Sequence, residues 1–101
     1  TTTVAPQALW LMNSPHVRSW AAAFARRFSP GPDPSLTEAV ARAYTLALNR
    51  PPTKRERADA LAFIEHQMAR YGAEQKPDAH ELALTDFAQV VLSLNEFIYV
   101  D

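Results

Sequence analysis

Cysteine is absent from this chain of 101 residues. Its absence excludes a thiolate metal site, a thiol nucleophile, a disulfide and a covalently attached c-type haem within these residues. It leaves the cellular compartment open, because cysteine-free proteins occur in both reducing and oxidising environments.

Glycine is scarce as well, since Gly31 and Gly72 are the only two. Both follow segments with helical periodicity, and we predict that each marks the end of a helix. Strand-like alternation is missing, and eight prolines divide the helical segments from one another. The sequence therefore predicts an all-α fold, a compact bundle of about five helices with an ordered apolar C-terminal segment.

Neither sign of charge is in large excess. The formal net charge is -1 and the isoelectric point is about 6.2, so no global field attracts nucleic acid or an anionic membrane, and we predict no nucleic-acid partner. No apolar run approaches the length of a membrane span, and no signal peptide is visible at Thr1. The length and the 48% hydrophobic content fit a single domain over residues 1–101.

Start and stop signals locate the predicted helices. Ser35 with Glu38, and Thr53 with Glu56, have the spacing of capping boxes. Asn49 suits the left-handed conformation that closes a helix. The last helix carries apolar residues on more than one side, so we predict that it is the central helix. The helices are predicted approximately over Pro6–Met12, Pro15–Phe28, Ser35–Leu48, Thr53–Tyr71 and Asp78–Leu94.

Apolar side chains dominate the last few residues, where Phe97, Ile98, Tyr99 and Val100 stand together. Leaving large side chains of this kind in water forfeits roughly 1.5–3 kcal/mol each. We therefore expect this segment to dock on the same domain or on a neighbouring one. We also place Trp20 on the core-facing stripe of the second predicted helix. The residues predicted to serve packing or an interface are Trp10, Trp20, Phe87, Phe97 and Tyr99.

Several stretches, in this order, resemble one family. They are TTVAPQAL (2–9), LMNSP (11–15), AYTLALNRPPT (43–53), and DFAQVVL (86–92) running into NEFIYVD (95–101). Together they are similar to the C-terminal end of a planctomycete domain of unknown function. The resemblance implies a large, exported, multidomain bacterial protein that often carries a planctomycete-type cytochrome c domain upstream. It also implies an extracytoplasmic location, in the periplasm or at the cell surface, and no known reaction.

The residues that could carry chemistry form no recognisable catalytic pattern. His16, His66 and His80 lack the spacing of a metal site, and the serines lack a nucleophile elbow. We expect each histidine to lie in solvent or at a helix end. The sequence therefore predicts no catalytic residue, no metal and no cofactor in this chain.

A run of basic residues spans the junction between the third and fourth predicted helices. A run at such a junction could contact phosphate or DNA, but interleaved carboxylates favour a structural role. Arg57 projects onto the apolar face of its helix. We predict that Arg57 forms a buried ion pair with Asp86 or Glu96. The run consists of Arg50, Lys54, Arg55 and Arg57.

These observations predict a non-catalytic helical packing or interaction module that terminates a larger exported protein and contacts the upstream domains of the same polypeptide. They indicate no oligomeric state. The alternative is an accessory part of a haem-linked electron-transfer or hydrolytic enzyme whose active centre lies upstream. In that alternative, a shared cleft would be lined by His16, His66, Arg50 or Arg57.

Overall fold

The structure is a computed structural model that describes residues 15–29 and 35–94. The prediction of an all-α fold is confirmed, and the described residues contain no strand. Four helices follow one another along the chain. They are α1 (Pro15–Phe28), α2 (Leu36–Leu48), α3 (Lys54–Ala73) and α4 (Ala79–Leu94).

The described helices number four, where about five were predicted from periodicity. The first predicted helix, which contains Trp10, lies outside the described residues. The C-terminal segment with Phe97 and Tyr99 also lies outside them. The predictions made for these three aromatic residues therefore stay predictions.

Local capping signals position the start of α3 and the end of α2. The Thr53 hydroxyl accepts a hydrogen bond from the Glu56 backbone N–H at 3.1 Å, and the Glu56 carboxylate accepts one from the Thr53 N–H at 2.8 Å. This reciprocal pair satisfies two backbone donors that the first turn of a helix leaves unpaired. Asn49 closes α2 in the left-handed conformation, with φ 59° and ψ 33°, so both signals are confirmed.

The predicted stop at Gly72 is wrong. Helix α3 continues through Gly72 to Ala73, and the left-handed residue beyond it is Gln75, with φ 60°. The Gln75 N–H donates to the Gly72 carbonyl, and the Lys76 N–H donates to the Tyr71 carbonyl. The turn that these bonds close requires a positive φ at Gln75, three residues after Gly72.

Helix α4 lies at the centre of the bundle, as predicted, because among the described helices it has the most extensive contacts, with α1 and α3, and it also packs against α2. Its Phe87 is 1% exposed and packs edge-to-face against Phe28 of α1, with ring centroids 5.9 Å apart. Phe28 makes a second edge-to-face contact with Phe24, at 5.0 Å. All four helices contribute to the core, whose largest fully buried side chains are Phe28, Val40, Ile64, Phe87 and Val91.

The placement of Trp20 in the core is wrong, because its residue surface is 66% exposed. The buried positions of α1 are Ala21, Ala25 and Phe28. Their spacing defines a stripe that lies one residue, or about 100°, away from Trp20 around the helix. Alanines on this stripe allow α1 to approach α4 closely, so the small side chains make the contact and the tryptophan faces outward.

Candidate functional site

The Asp86 carboxylate lies on α4 with its side chain 15% exposed and accepts hydrogen bonds from α1 and α3. Its Oδ1 accepts a hydrogen bond from Arg18 Nη1 at 2.7 Å. Its Oδ2 accepts from Gln67 Nε2 and from the Tyr71 hydroxyl, each at 2.7 Å. Arg70 Nη2 lies 4.0 Å from the same oxygen. We call these five residues the Asp86 cluster.

Helical spacing brings the members of the Asp86 cluster together. Gln67, Arg70 and Tyr71 share one face of α3, because residues three and four positions apart are neighbours on a helix surface. Arg18 reaches the carboxylate from the first turns of α1, and its Nη1 also donates to Gln89 Oε1 on α4. The cluster therefore joins α1, α3 and α4 through one side chain.

Burial and the Asp86 carboxylate keep the Tyr71 hydroxyl in its protonated form. Burial raises the pKa of Tyr71, and the hydrogen bond to Asp86 and the negative charge of that carboxylate raise it further. Tyr71 therefore remains a donor at neutral pH. The Arg70 guanidinium lies 5.0 Å from the centroid of the Tyr71 ring, within cation–π distance. In chemical terms, the cluster holds a fixed negative charge and surrounds it with donors.

A second polar cluster lies at the junction between α2 and α3. Arg50 donates Nη1 to Glu56 Oε1 at 2.8 Å and Nη2 to Glu56 Oε2 at 3.0 Å, a bidentate ion pair. The hydrogen bond from Arg50 is the main reason that the pKa of Glu56 falls to about 2, and the bonds from Thr53 lower it further. Burial, followed by the charge of Glu56, raises the pKa of Tyr44. We call Arg50, Thr53 and Glu56 the junction cluster.

The predicted buried ion pair of Arg57 with Asp86 is wrong. Arg57 is exposed, and Arg18 supplies the close cation of Asp86 instead. The other partner suggested for Arg57, Glu96, lies outside the described residues. Arg57 follows the N-cap of α3 in the first turns of the helix. The α3 residues that reach Asp86 lie more than two turns further along the same helix.

The other residues considered as candidates for catalysis or metal binding lie apart from one another in the structure. His16 on α1 and His66 on α3 are exposed, and His80 is half-buried at the start of α4. Over residues 15–29 and 35–94, no group of three histidine, cysteine, aspartate or glutamate side chains could hold a metal ion. In the basic run, Arg50 is bound by Glu56, and Arg55 Nε lies 3.9 Å from Asp59 Oδ2.

An open groove of about 360 Å³ lies beside α1 and α2, and sequence analysis missed it. Arginines stand on both helices at its edge, and Leu46, which is 46% exposed, contributes apolar surface. The signal for it was weak, because Leu46 falls outside the apolar stripe of α2 and could be read as an isolated exposed leucine. The groove is lined by Arg27, Ala41, Arg42, Thr45 and Leu46.

The role of Arg18 was also missed, although part of the signal was present. Asp86 interrupts an apolar stretch of α4, and a carboxylate in such a place is rarely buried without a partner. The prediction started instead from Arg57 and named Asp86 as one of two candidate acids, so it assigned the wrong cation to this carboxylate. Among the described helices, none is both long and apolar enough to cross a membrane.

Comparison with known proteins yields a family and no activity. No curated protein and no solved structure matches the chain. One family model, described as PSD1, Protein of unknown function (DUF1553), matches residues 1–64, which are more than half of the 101 residues. The chain therefore belongs to this family of proteins of unknown function.

Proposed function

We propose that this chain is a non-catalytic helical packing module that terminates a larger exported bacterial protein and braces its upstream domains. The observation that carries the proposal is the use of Asp86. This carboxylate accepts from Arg18, Gln67 and Tyr71, and these bonds join three helices. A carboxylate that accepts three internal hydrogen bonds serves to hold the fold together and is poorly placed to accept a proton from a substrate.

Two further features support a packing role. In the junction cluster, the arginine and the glutamate bind each other through two hydrogen bonds. Trp20, in contrast, is 66% exposed, and tryptophan is enriched among the residues that contribute most to protein interfaces. The proposed exported location rests on the resemblance to planctomycete proteins with upstream cytochrome c domains.

The experiment compares the full-length protein with a version that lacks residues 1–101. If the module braces its neighbours, its removal should lower the melting temperature of the remaining domains by several degrees and speed their digestion by a protease. Differential scanning calorimetry and timed proteolysis measure the two effects. An unchanged melting temperature together with unchanged digestion would contradict the proposal.

A second measurement tests whether the module is non-catalytic. In the full-length protein, His16→Ala and His66→Ala remove the two exposed imidazoles on α1 and α3. The proposal expects haem-linked redox activity to stay at the level of the unmodified protein for both variants. A loss of activity at unchanged melting temperature would instead favour an accessory role in an electron-transfer enzyme.

A further inference from the structure

An exposed stripe runs along α1 on the side away from its alanine contact with the core. His16, Trp20, Ala23 and Arg27 are all exposed. Their spacing of four, three and four residues places them on one face of the helix. At 1.5 Å per residue, Trp20 and Arg27 lie roughly 10 Å apart along the axis. This stripe is a row of side chains that the described residues leave uncovered.

The stripe continues into the groove between α1 and α2. Arg27 belongs to both, since it also lines the groove together with Arg42 and Leu46. Trp20 and Leu46 are the large apolar side chains that the described residues leave exposed, and Arg27 connects them. We call the stripe together with the groove the Trp20 surface.

Charge is unevenly divided between the two halves of the bundle. Helices α1 and α2 carry four arginines and one carboxylate, Glu38. Residues 54–94 carry five cations and seven carboxylates. Arg18 is neutralised by Asp86, and Arg42 lies 4.0 Å from Glu38 in an exposed contact of little strength. The Trp20 surface is therefore locally basic on a protein whose formal net charge is -1.

This combination favours a protein partner of opposite charge. A tryptophan and arginines around an apolar centre are the residue types that contribute most to protein interfaces, and a basic rim selects carboxylates. One tryptophan and one leucine offer little apolar area for insertion into a membrane interface. A second copy would have to bind through its acidic helices, and such a head-to-tail contact leaves a free surface at each end of the assembly unless its rotation closes a ring.

We propose that the Trp20 surface binds an acidic segment with one apolar anchor residue in the upstream part of the same polypeptide. The apolar side chain would pack against Trp20 and Leu46, and its neighbouring carboxylates would pair with Arg27 and Arg42. This inference rests on the proposed packing function, since it assigns that function to one surface and one chemistry.

The experiment is site-specific photo-crosslinking in the full-length protein. Ala23 is replaced by p-benzoylphenylalanine, which places the reactive group on the Trp20 surface. A separate protein carries the same residue at Ala62, an exposed position on α3. Mass spectrometry of the digested products should show that position 23 captures an upstream segment rich in aspartate and glutamate.

Charge reversal then tests the chemistry of the capture. The pair of substitutions Arg27→Glu and Arg42→Glu should lower the cross-link yield at position 23 by about tenfold, and raised salt should lower it as well. The matched control is Arg55→Glu, whose side chain is 92% exposed on α3. Its yield should equal that of the unmodified protein, and circular dichroism confirms that each variant is folded.

Several outcomes would overturn the inference. Capture of a second copy or of lipid at position 23 would assign the surface to a different occupant. A yield that is indifferent to both arginine reversals would remove the electrostatic part of the proposal. Capture at position 62 alone would keep the packing function and reject this surface as its site. Silence at both positions would also reject this surface as the binding site, whereas the deletion of residues 1–101 tests the packing function separately.

Discussion

The two polar clusters have the same chemistry, but they connect residues at different separations along the chain. Each consists of a carboxylate that accepts hydrogen bonds from an arginine and from other donors. Glu56 binds Arg50, six residues away in the chain. Asp86 binds Tyr71, Gln67 and Arg18, which are 15, 19 and 68 residues away. One cluster therefore shapes a single junction, and the other determines how three helices sit together.

The difference predicts different consequences of damage. Loss of the junction cluster leaves the central contacts of α4 intact and frays the first turn of α3, whose donors lose their acceptor. Loss of the Asp86 carboxylate leaves Arg18 partly buried without its counter-ion, and an uncompensated charge in such a place costs more than the ion pair contributed. The variants below test this contrast.

Asp86→Ala should cause the largest loss of stability. We expect the free energy of unfolding to fall by about 3 kcal/mol, because the change leaves Arg18, Gln67 and Tyr71 without their shared acceptor. Urea denaturation followed by circular dichroism measures the loss. Asp59→Ala is the matched control, because the Asp59 side chain is 74% exposed and its removal should change stability by less than about 0.5 kcal/mol. Equal losses for the two variants would contradict the role given to the Asp86 cluster.

Glu56→Gln should cause a smaller loss that depends on pH. The pKa of Glu56 is lowered from 4.5 to about 2 in the folded chain, so its ionised form stabilises the fold above pH 4.5. That contribution is lost as the pH falls from 4.5 towards 2. We expect Glu56→Gln to cost about 1–2 kcal/mol at pH 7, a value reduced for solvent screening, and much less at pH 2. Denaturation curves at both pH values check it, and a cost independent of pH would exclude this explanation.

Tyr71→Phe should cause the smallest of the three losses, about 1 kcal/mol, since it removes one neutral donor from Asp86 and leaves Arg18 in place. The pKa of Tyr71 is raised from 10.0 in the folded chain. Its contribution is therefore fully present below pH 10 and is lost as the pH rises through the higher folded value. Thermal melts between neutral and alkaline pH should show a shallower decline for Tyr71→Phe than for the unmodified chain. An equal decline for the two chains would show that Tyr71 does not couple to alkaline unfolding.

The same contrast explains what sequence analysis could predict. The capping box of Thr53 and Glu56 spans three residues, and Asn49 adopts its conformation within one, so local rules are sufficient for both. The partner of Asp86 depends on how α1 crosses α4, and no spacing within a helix encodes that angle. The sequence therefore led to Arg57 as the partner of Asp86, whereas in the structure the partner is Arg18.

Trp20 shows a second limit of the sequence pattern. Periodicity predicted α1 over Pro15–Phe28, and the structure has the same bounds. The error of this prediction was to extend the buried face to Trp20, because a tryptophan is a stronger apolar signal than the neighbouring Ala21. Close packing of helices favours small side chains at the contact, and a hydrophobicity pattern does not distinguish a contact alanine from an exposed one. The groove at Leu46 was missed for a different reason, because Leu46 falls outside the apolar stripe of α2 and reads as an isolated exposed leucine.

The turn between α3 and α4 contains a mismatch between residue and conformation that protein engineers can use. Gly72 lies inside α3 with nothing within 4 Å of the position a methyl group would occupy, while Gln75 holds the left-handed backbone that glycine adopts without strain. Gly72→Ala removes the cost of a glycine inside a helix, and Gln75→Gly removes the cost of a left-handed glutamine. Each change is worth roughly 0.5–1 kcal/mol. A thermostabilised version of the protein is thus available through two backbone-guided changes that leave both clusters and the Trp20 surface untouched.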